Sequence, residues 1–214
     1  MGELLEEAAG PLIKAALIAV FLVYMVMVLV FERFKHPILI MCTVPFCAVG
    51  VTLSLAVFGS TLNMVSIMGV ISLAGMLVNN GIIMVDYINQ LNRDGRKMRL
   101  DMKGIQYEED NDTFGLLPYD EEFQMLKDNI VTGTVSRLRP ILMSALTTIL
   151  GVIPMAIAKG EGAEVYAPLG QVIMGGLTTS TFITLFMMPV FYFLSERRRM
   201  NVKYRKLRRN EDNE

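Results

Sequence analysis

Residues 62–87 read LNMVSIMGVISLAGMLVNNGIIMVDY, with one charged residue, Asp86, near the far end. About twenty predominantly apolar residues are enough for a helix to cross the hydrocarbon core of a bilayer. The stretch is apolar all round and lacks the polar outer face that a helix of a soluble domain presents to water. It therefore reads as a transmembrane helix. Working outward, 11–31 and 37–58 precede it and 138–158 and 167–194 follow it as uncharged or nearly uncharged runs of similar length, Lys14 being near enough to one end to snorkel. Prolines 45, 154 and 189 lie inside these runs, where membrane helices tolerate them because neighbouring helices re-satisfy the freed carbonyls.

Composition agrees: 53% of the 214 residues are hydrophobic and 19% charged, with a mean hydropathy of +0.45, beyond the usual range for a soluble domain. The fold class expected is an all-α integral membrane bundle of five transmembrane helices. The net charge of −1 averages over segregated pieces and says nothing of partners. A secretory signal is excluded for 11–31, because Glu3, Glu6 and Glu7 make its leader acidic and no small-residue cleavage site follows. Cys42 and Cys47, five apart, point to different faces of a helix and read as small core residues. The sole histidine, His36, precedes Pro37 and is expected to sit in water at the interface.

Lys and Arg collect in the 89–136 connection and in the tail, which holds Arg197, Arg198, Arg199, Lys203, Arg205, Lys206, Arg208 and Arg209. The positive-inside rule places both in the cytoplasm, so the N-terminus is expected outside and the C-terminus inside. The expected organisation is a periplasmic leader (1–10), three spans (11–88), a cytoplasmic connection (89–136), two spans (137–194) and a basic tail (195–214). Within the connection two acidic clusters, Glu108 to Asp112 and Asp120 to Glu122, flank a Gly/Pro-marked stretch. Phe123, Leu126 and Ile130 then recur at helical spacing, suggesting a short helix along the membrane surface. The tail is expected to contact anionic lipid rather than nucleic acid.

Polar side chains inside hydrocarbon are the informative ones. Ser72, Asn79 and Asp86 recur every seven residues, one face of a helix, with Gly75 on the same side. Arg137, Ser144, Thr148 and Gly151 follow at spacings of seven, four and three. Two such rows facing each other would form a polar seam, either as interhelical glue or as an ion or proton path. Asn79 cannot titrate, and Asp86 is near enough to the end of its span to be hydrated. Gly175 with Thr179 and Gly176 with Ser180 are small-xxx-small pairs that favour close helix packing. No nucleophile–base pair, phosphate loop, dinucleotide fingerprint or His/Cys metal spacing occurs, so neither an enzyme nor a bound cofactor or metal is expected.

The run Ser136-Arg137-Leu138-Arg139-Pro140-Ile141-Leu142-Met143-Ser144, followed by Gly151-Val152-Ile153-Pro154-Met155, Gly175-Gly176 and Met188-Pro189-Val190-Phe191, resembles the C-terminal membrane region of resistance-nodulation-division transporters, in particular the AcrB-like multidrug efflux pumps. Leu77 to Tyr87 and Phe31 to Pro37 match as well, so the resemblance covers about residues 5 to 198. It implies the last five of twelve spans in a proton-driven exporter of the bacterial inner membrane. Such an exporter works as a homotrimer with a periplasmic adaptor and an outer-membrane channel, and the preceding half supplies a carboxylate pair. In the family those acids meet a lysine, an arginine and a threonine. By motif Arg137 and Ser144 take the last two positions, while Asn79 stands where the lysine would be. The segment 96–123 is longer than the family's connection. The resemblance thus implies the membrane part of an exporter of hydrophobic or amphipathic compounds that needs its N-terminal half; the alternative is a non-transporting membrane module or the remnant of an interrupted gene.

Overall fold

The computed structural model describes residues 2–31, 35–104, 117–160 and 162–211. Glu32, Arg33 and the acidic cluster at 108–112 lie outside these. Among the described residues the regular structure is all helical: α1 (Gly2–Phe31), α2 (Lys35–Met41), α3 (Val44–Phe58), α4 (Met64–Met102), α5 (Tyr119–Ala156) and α6 (Ala163–Glu211). Four helical stretches among them are long and apolar enough to span a membrane, His36–Phe58, Met64–Met102, Tyr119–Ala156 and Val165–Arg209, and Leu17–Phe31 is a shorter apolar helix. All five apolar runs of the sequence are therefore helical, in an all-helical membrane protein.

Local chemistry sets the ends. The second run is interrupted at Cys42–Thr43, where the Thr43 hydroxyl donates to the Ile40 carbonyl at 2.7 Å and Pro45 falls in the first turn of α3. Proline has no N–H to lose there and its φ suits a helix start. α3 stops at Gly59 (φ +66°), whose N–H donates to the Ala56 carbonyl while that of Ser60 donates to Leu55, the paired bonds of a Schellman end that glycine adopts without steric cost. Asn63 and Ser66 then open α4 reciprocally: each side-chain oxygen accepts the other's backbone N–H, at 2.8 and 2.7 Å.

Three expectations are corrected. The helix expected to lie along the membrane surface at 120–136 is instead the first half of α5, which continues unbroken through Pro140 to Ala156. α4 likewise runs past the third span to Met102. Charged and polar residues continue these helices because they have helical partners of their own, such as Arg96 with Glu122 and Asn92 with Asn129. His36 is 3% exposed, packed edge-on against Phe31 with centroids 5.8 Å apart, rather than standing in water. Cys47 is buried, but Cys42 is exposed.

The chain divides into two compact units, 1–83 with 138–188, and 84–137 with 189–214. The first has a core of Cys47, Val51, Leu55, Leu73, Leu77, Ala145, Val172 and Leu177. Small residues let its backbones approach. A Cβ on Gly50 would lie 2.6 Å from the Gly175 carbonyl oxygen, and one on Gly175 would lie 2.8 Å from that of Gly50. Gly176 faces Leu73 and Val51, and Gly170 faces the Ala156 backbone. Membrane helices associate through such contacts, since lipid leaves them no hydrophobic drive toward one another.

The second unit is polar in its middle. Asn129 donates to Asn92 (2.9 Å), Asn92 to the Tyr192 hydroxyl (3.1 Å), and Tyr192 to Asn89 (2.6 Å). Ile88, Leu100, Met125 and Met200 are buried in this unit, and Gly95 and Gly133 let the helices close on Asn129 and Ile88.

Gly175→Leu should lower stability by about 3 kcal/mol or more, the upper end of overpacking costs, because the obstruction is backbone. Gly75→Ala, where nothing lies within 4 Å, should change it by less than about 1 kcal/mol. Thermal unfolding in detergent followed by circular dichroism measures both.

Candidate functional site

Along α4 the polar row does not point into the core. Ser72, Gly75 and Asn79 are exposed, whereas Leu73, Leu77 and the neighbouring Asn80 are buried. At about 100° per residue the row and the Leu73/Leu77 face lie on largely opposite sides of the helix. Among the described residues nothing lies within 4 Å of a Cβ at Gly75. Farther along, Asp86 is exposed as well.

The α5 row behaves similarly in the first unit. Ser144 is exposed and Thr148 half-buried, and their hydroxyls donate to their own helix, Ser144 to the Ile141 carbonyl at 3.1 Å and Thr148 to that of Ser144 at 2.9 Å. Among the described residues no hydrogen bond joins either to Asn79. The two rows expected to face each other in a seam are therefore not closed on one another by hydrogen bonds. The apolar window of α5 is 11% buried, against 39% for that of α6, which leaves this helix largely uncovered.

Arg137, assigned to the second unit, is half-buried. Its guanidinium sits over the Tyr87 ring, 4.2 Å from the centroid, and its Nε is buried with no hydrogen-bond partner. The cation–π contact offsets part of the desolvation, but no described carboxylate pairs with it. A buried guanidinium N–H without an acceptor is the kind of group a carboxylate satisfies well.

The small-residue positions on α6 divide differently. Gly175 and Gly176 lie at the contacts with α3 and α4, and Thr179 stands against Gly50. Ser180 is 2% exposed and donates to the Leu177 carbonyl. Sequence reasoning missed the pair between these helices, Ser54 and Gln171. The Ser54 hydroxyl donates to the Gln171 carbonyl at 2.7 Å, and the Gln171 side chain donates to the Ala156 carbonyl at 3.1 Å with its own Oε1 unpartnered and buried. A glutamine inside an apolar run was the available signal.

Elsewhere in the second unit a buried carboxylate is matched. Glu122, 1% exposed, forms an ion pair with Arg96 at 3.1 Å and accepts a hydrogen bond from Tyr204 at 2.7 Å. Tyr204, past the apolar part of α6, is pushed above the ordinary phenol range, first by burial and then by this carboxylate, so it stays a neutral donor. Glu121 pairs with Lys103 at 2.7 Å in an exposed bridge. Among the described residues no group of three or more His, Cys, Asp or Glu could hold a metal ion.

The family model described as the AcrB/AcrD/AcrF family matches residues 2–101 and 118–196. The unmatched 102–117 fall within the stretch that the sequence resemblance marks as longer than usual. Among solved structures, a heavy metal efflux pump in its crystal form II is 30% identical with a TM-score of 0.70, over 91% of this chain and 16% of that one. A heavy metal efflux pump in crystal form I is 34% identical with a TM-score of 0.59, over 80% and 15%. The chain thus spans about one sixth of the length of these pumps.

Glu122→Ala, which removes a buried carboxylate shared by Arg96 and Tyr204, should destabilise the protein by about 3–5 kcal/mol, whereas Glu121→Ala, at an exposed bridge, should cost less than about 1 kcal/mol. Denaturation of the purified variants in detergent distinguishes the two.

Proposed function

The chain belongs to the AcrB/AcrD/AcrF family of efflux transporters, and from that premise we propose that it is membrane-embedded machinery of a proton-driven exporter rather than an enzyme. It would be completed by helices outside this sequence. The observation that carries this reading is the Arg137 Nε, buried without an acceptor; Ser72 and Asn79, exposed on α4, are consistent with it. In hydrocarbon such groups need partners. A titrating carboxylate pair on a neighbouring helix would supply them, and Arg137 would bind that pair more strongly when it is ionised than when it is protonated. The difference in binding is what couples proton passage to a shift between conformations. With Asn79 at the family's lysine position, Arg137 would be the fixed cation of the pathway.

The cargo follows the solved relatives. Their being heavy metal efflux pumps, at 30% and 34% identity, supports metal cations rather than the hydrophobic or amphipathic compounds implied by the sequence resemblance. The setting we infer is the bacterial inner membrane, N-terminus periplasmic and C-terminus cytoplasmic, in a trimer with a periplasmic adaptor and an outer-membrane channel. The basic connection and tail support that orientation.

The test is proton-gradient-dependent efflux in vesicles carrying the chain co-expressed with the preceding helices, with metal cations and an amphipathic dye compared as cargo. Arg137→Ala should reduce efflux at least tenfold at an unchanged protein level, and Arg137→Lys should keep a measurable fraction because the charge survives without the fork. Unchanged efflux in Arg137→Ala would remove the coupling role, and transport of the dye but not the metal would remove the cargo assignment.

A further inference from the structure

A cavity of about 450 Å³ in the second unit is lined by Tyr119, Asn201, Tyr204, Arg205, Arg208 and Arg209. Three guanidinium groups and no carboxylate line it. Asn201, Arg205 and Arg208 fall at spacings of four and three along α6 and so share one face of it. Like charges at such spacings repel and destabilise a helix. Among the described residues neither Arg205 nor Arg208 forms an ion pair, and both are exposed.

Two of the three acids in the first turn of α5 are committed elsewhere, and the third, Asp120, is exposed and does not line the cavity. Glu122 is held by Arg96 and Tyr204, and Glu121 by Lys103. Tyr119 donates to Asn201 Oδ1 at 2.9 Å, which leaves the Asn201 amide N–H groups as donors, and the Tyr119 and Tyr204 rings meet edge to face at 5.2 Å. The Tyr204 hydroxyl proton is engaged by Glu122 and the Leu117 carbonyl. The cavity therefore offers guanidinium forks and amide donors over an aromatic wall, in a volume typical of small-molecule sites.

We propose that this cavity binds a phosphate-bearing anion, since planar guanidinium forks match phosphate oxygens two at a time. Its volume suits a polyphosphate or a phosphorylated small molecule. A phospholipid headgroup carries the same chemistry, but α6 rises about 1.5 Å per residue. Arg205 and Arg208 are 11 and 14 residues past Leu194, at the end of the apolar stretch, so about 16–21 Å of helix separates them from it. A soluble ligand reaches that depth more readily than a headgroup does.

The test is calorimetric titration of the full chain, in phosphatidylcholine nanodiscs, with inorganic tripolyphosphate. We expect one site per chain, weakened at least tenfold in Arg205→Gln/Arg208→Gln. Arg198→Gln/Lys206→Gln, which removes two exposed charges of the same tail outside the cavity, should weaken binding less than threefold. Absence of saturable binding, or equal weakening by the two pairs, overturns the proposal. Repeating the titration with phosphatidylglycerol in the disc separates the sources. Unaltered tripolyphosphate binding supports a soluble ligand, and competition that disappears in Arg205→Gln/Arg208→Gln supports a headgroup in the same cavity.

Discussion

The close approach of α3 and α6 at Gly50, Ser54 and Gly175 sets what the rest of the first unit can do. Backbone lies where side chains would normally separate the helices, and Ser54 closes the contact with a hydrogen bond to the Gln171 carbonyl. With Gly176 seated against Leu73 and Val51, the same part of α6 also fixes which face of α4 turns inward. That face carries Leu73 and Leu77, and the polar row at Ser72 and Asn79 is consequently turned out. Packing by small residues and exposure of a polar row are thus two results of one constraint. A helix cannot bury both faces against a single set of neighbours.

That arrangement inverts what hydropathy alone suggests for a membrane helix, where polar groups are expected inside the bundle. The inversion is physically reasonable if the outward rows are themselves inside a larger bundle. The low burial of α5 and the unpartnered Arg137 Nε point the same way.

Much of the fold was legible because lipid imposes a simple rule on composition. The uncharged runs are helices. The extent of the helices was not legible, since charged residues at 89–102 and 120–136 read as a connection when each segment is taken alone. They remain helical through contacts made over long sequence separations: Asn92 with Asn129 and Tyr192, Arg96 with Glu122, and Tyr119 with Asn201. In the candidate site, spacing located the rows on α4 and α5 but carried no information on which side they face. Ser54 and Gln171 were overlooked because single polar residues have no period to reveal them.

Our proposal has the α4 row, exposed among the described residues, covered by further helices of an assembled transporter. The most direct measurement is oxygen accessibility of a nitroxide attached at Asn79→Cys, with Cys42 and Cys47 replaced, by power-saturation electron paramagnetic resonance in bilayers. The account predicts high accessibility for the chain alone and a marked fall on co-expression with the preceding helices, while a label at Leu77→Cys stays protected in both. Protection of position 79 in the chain alone would contradict it.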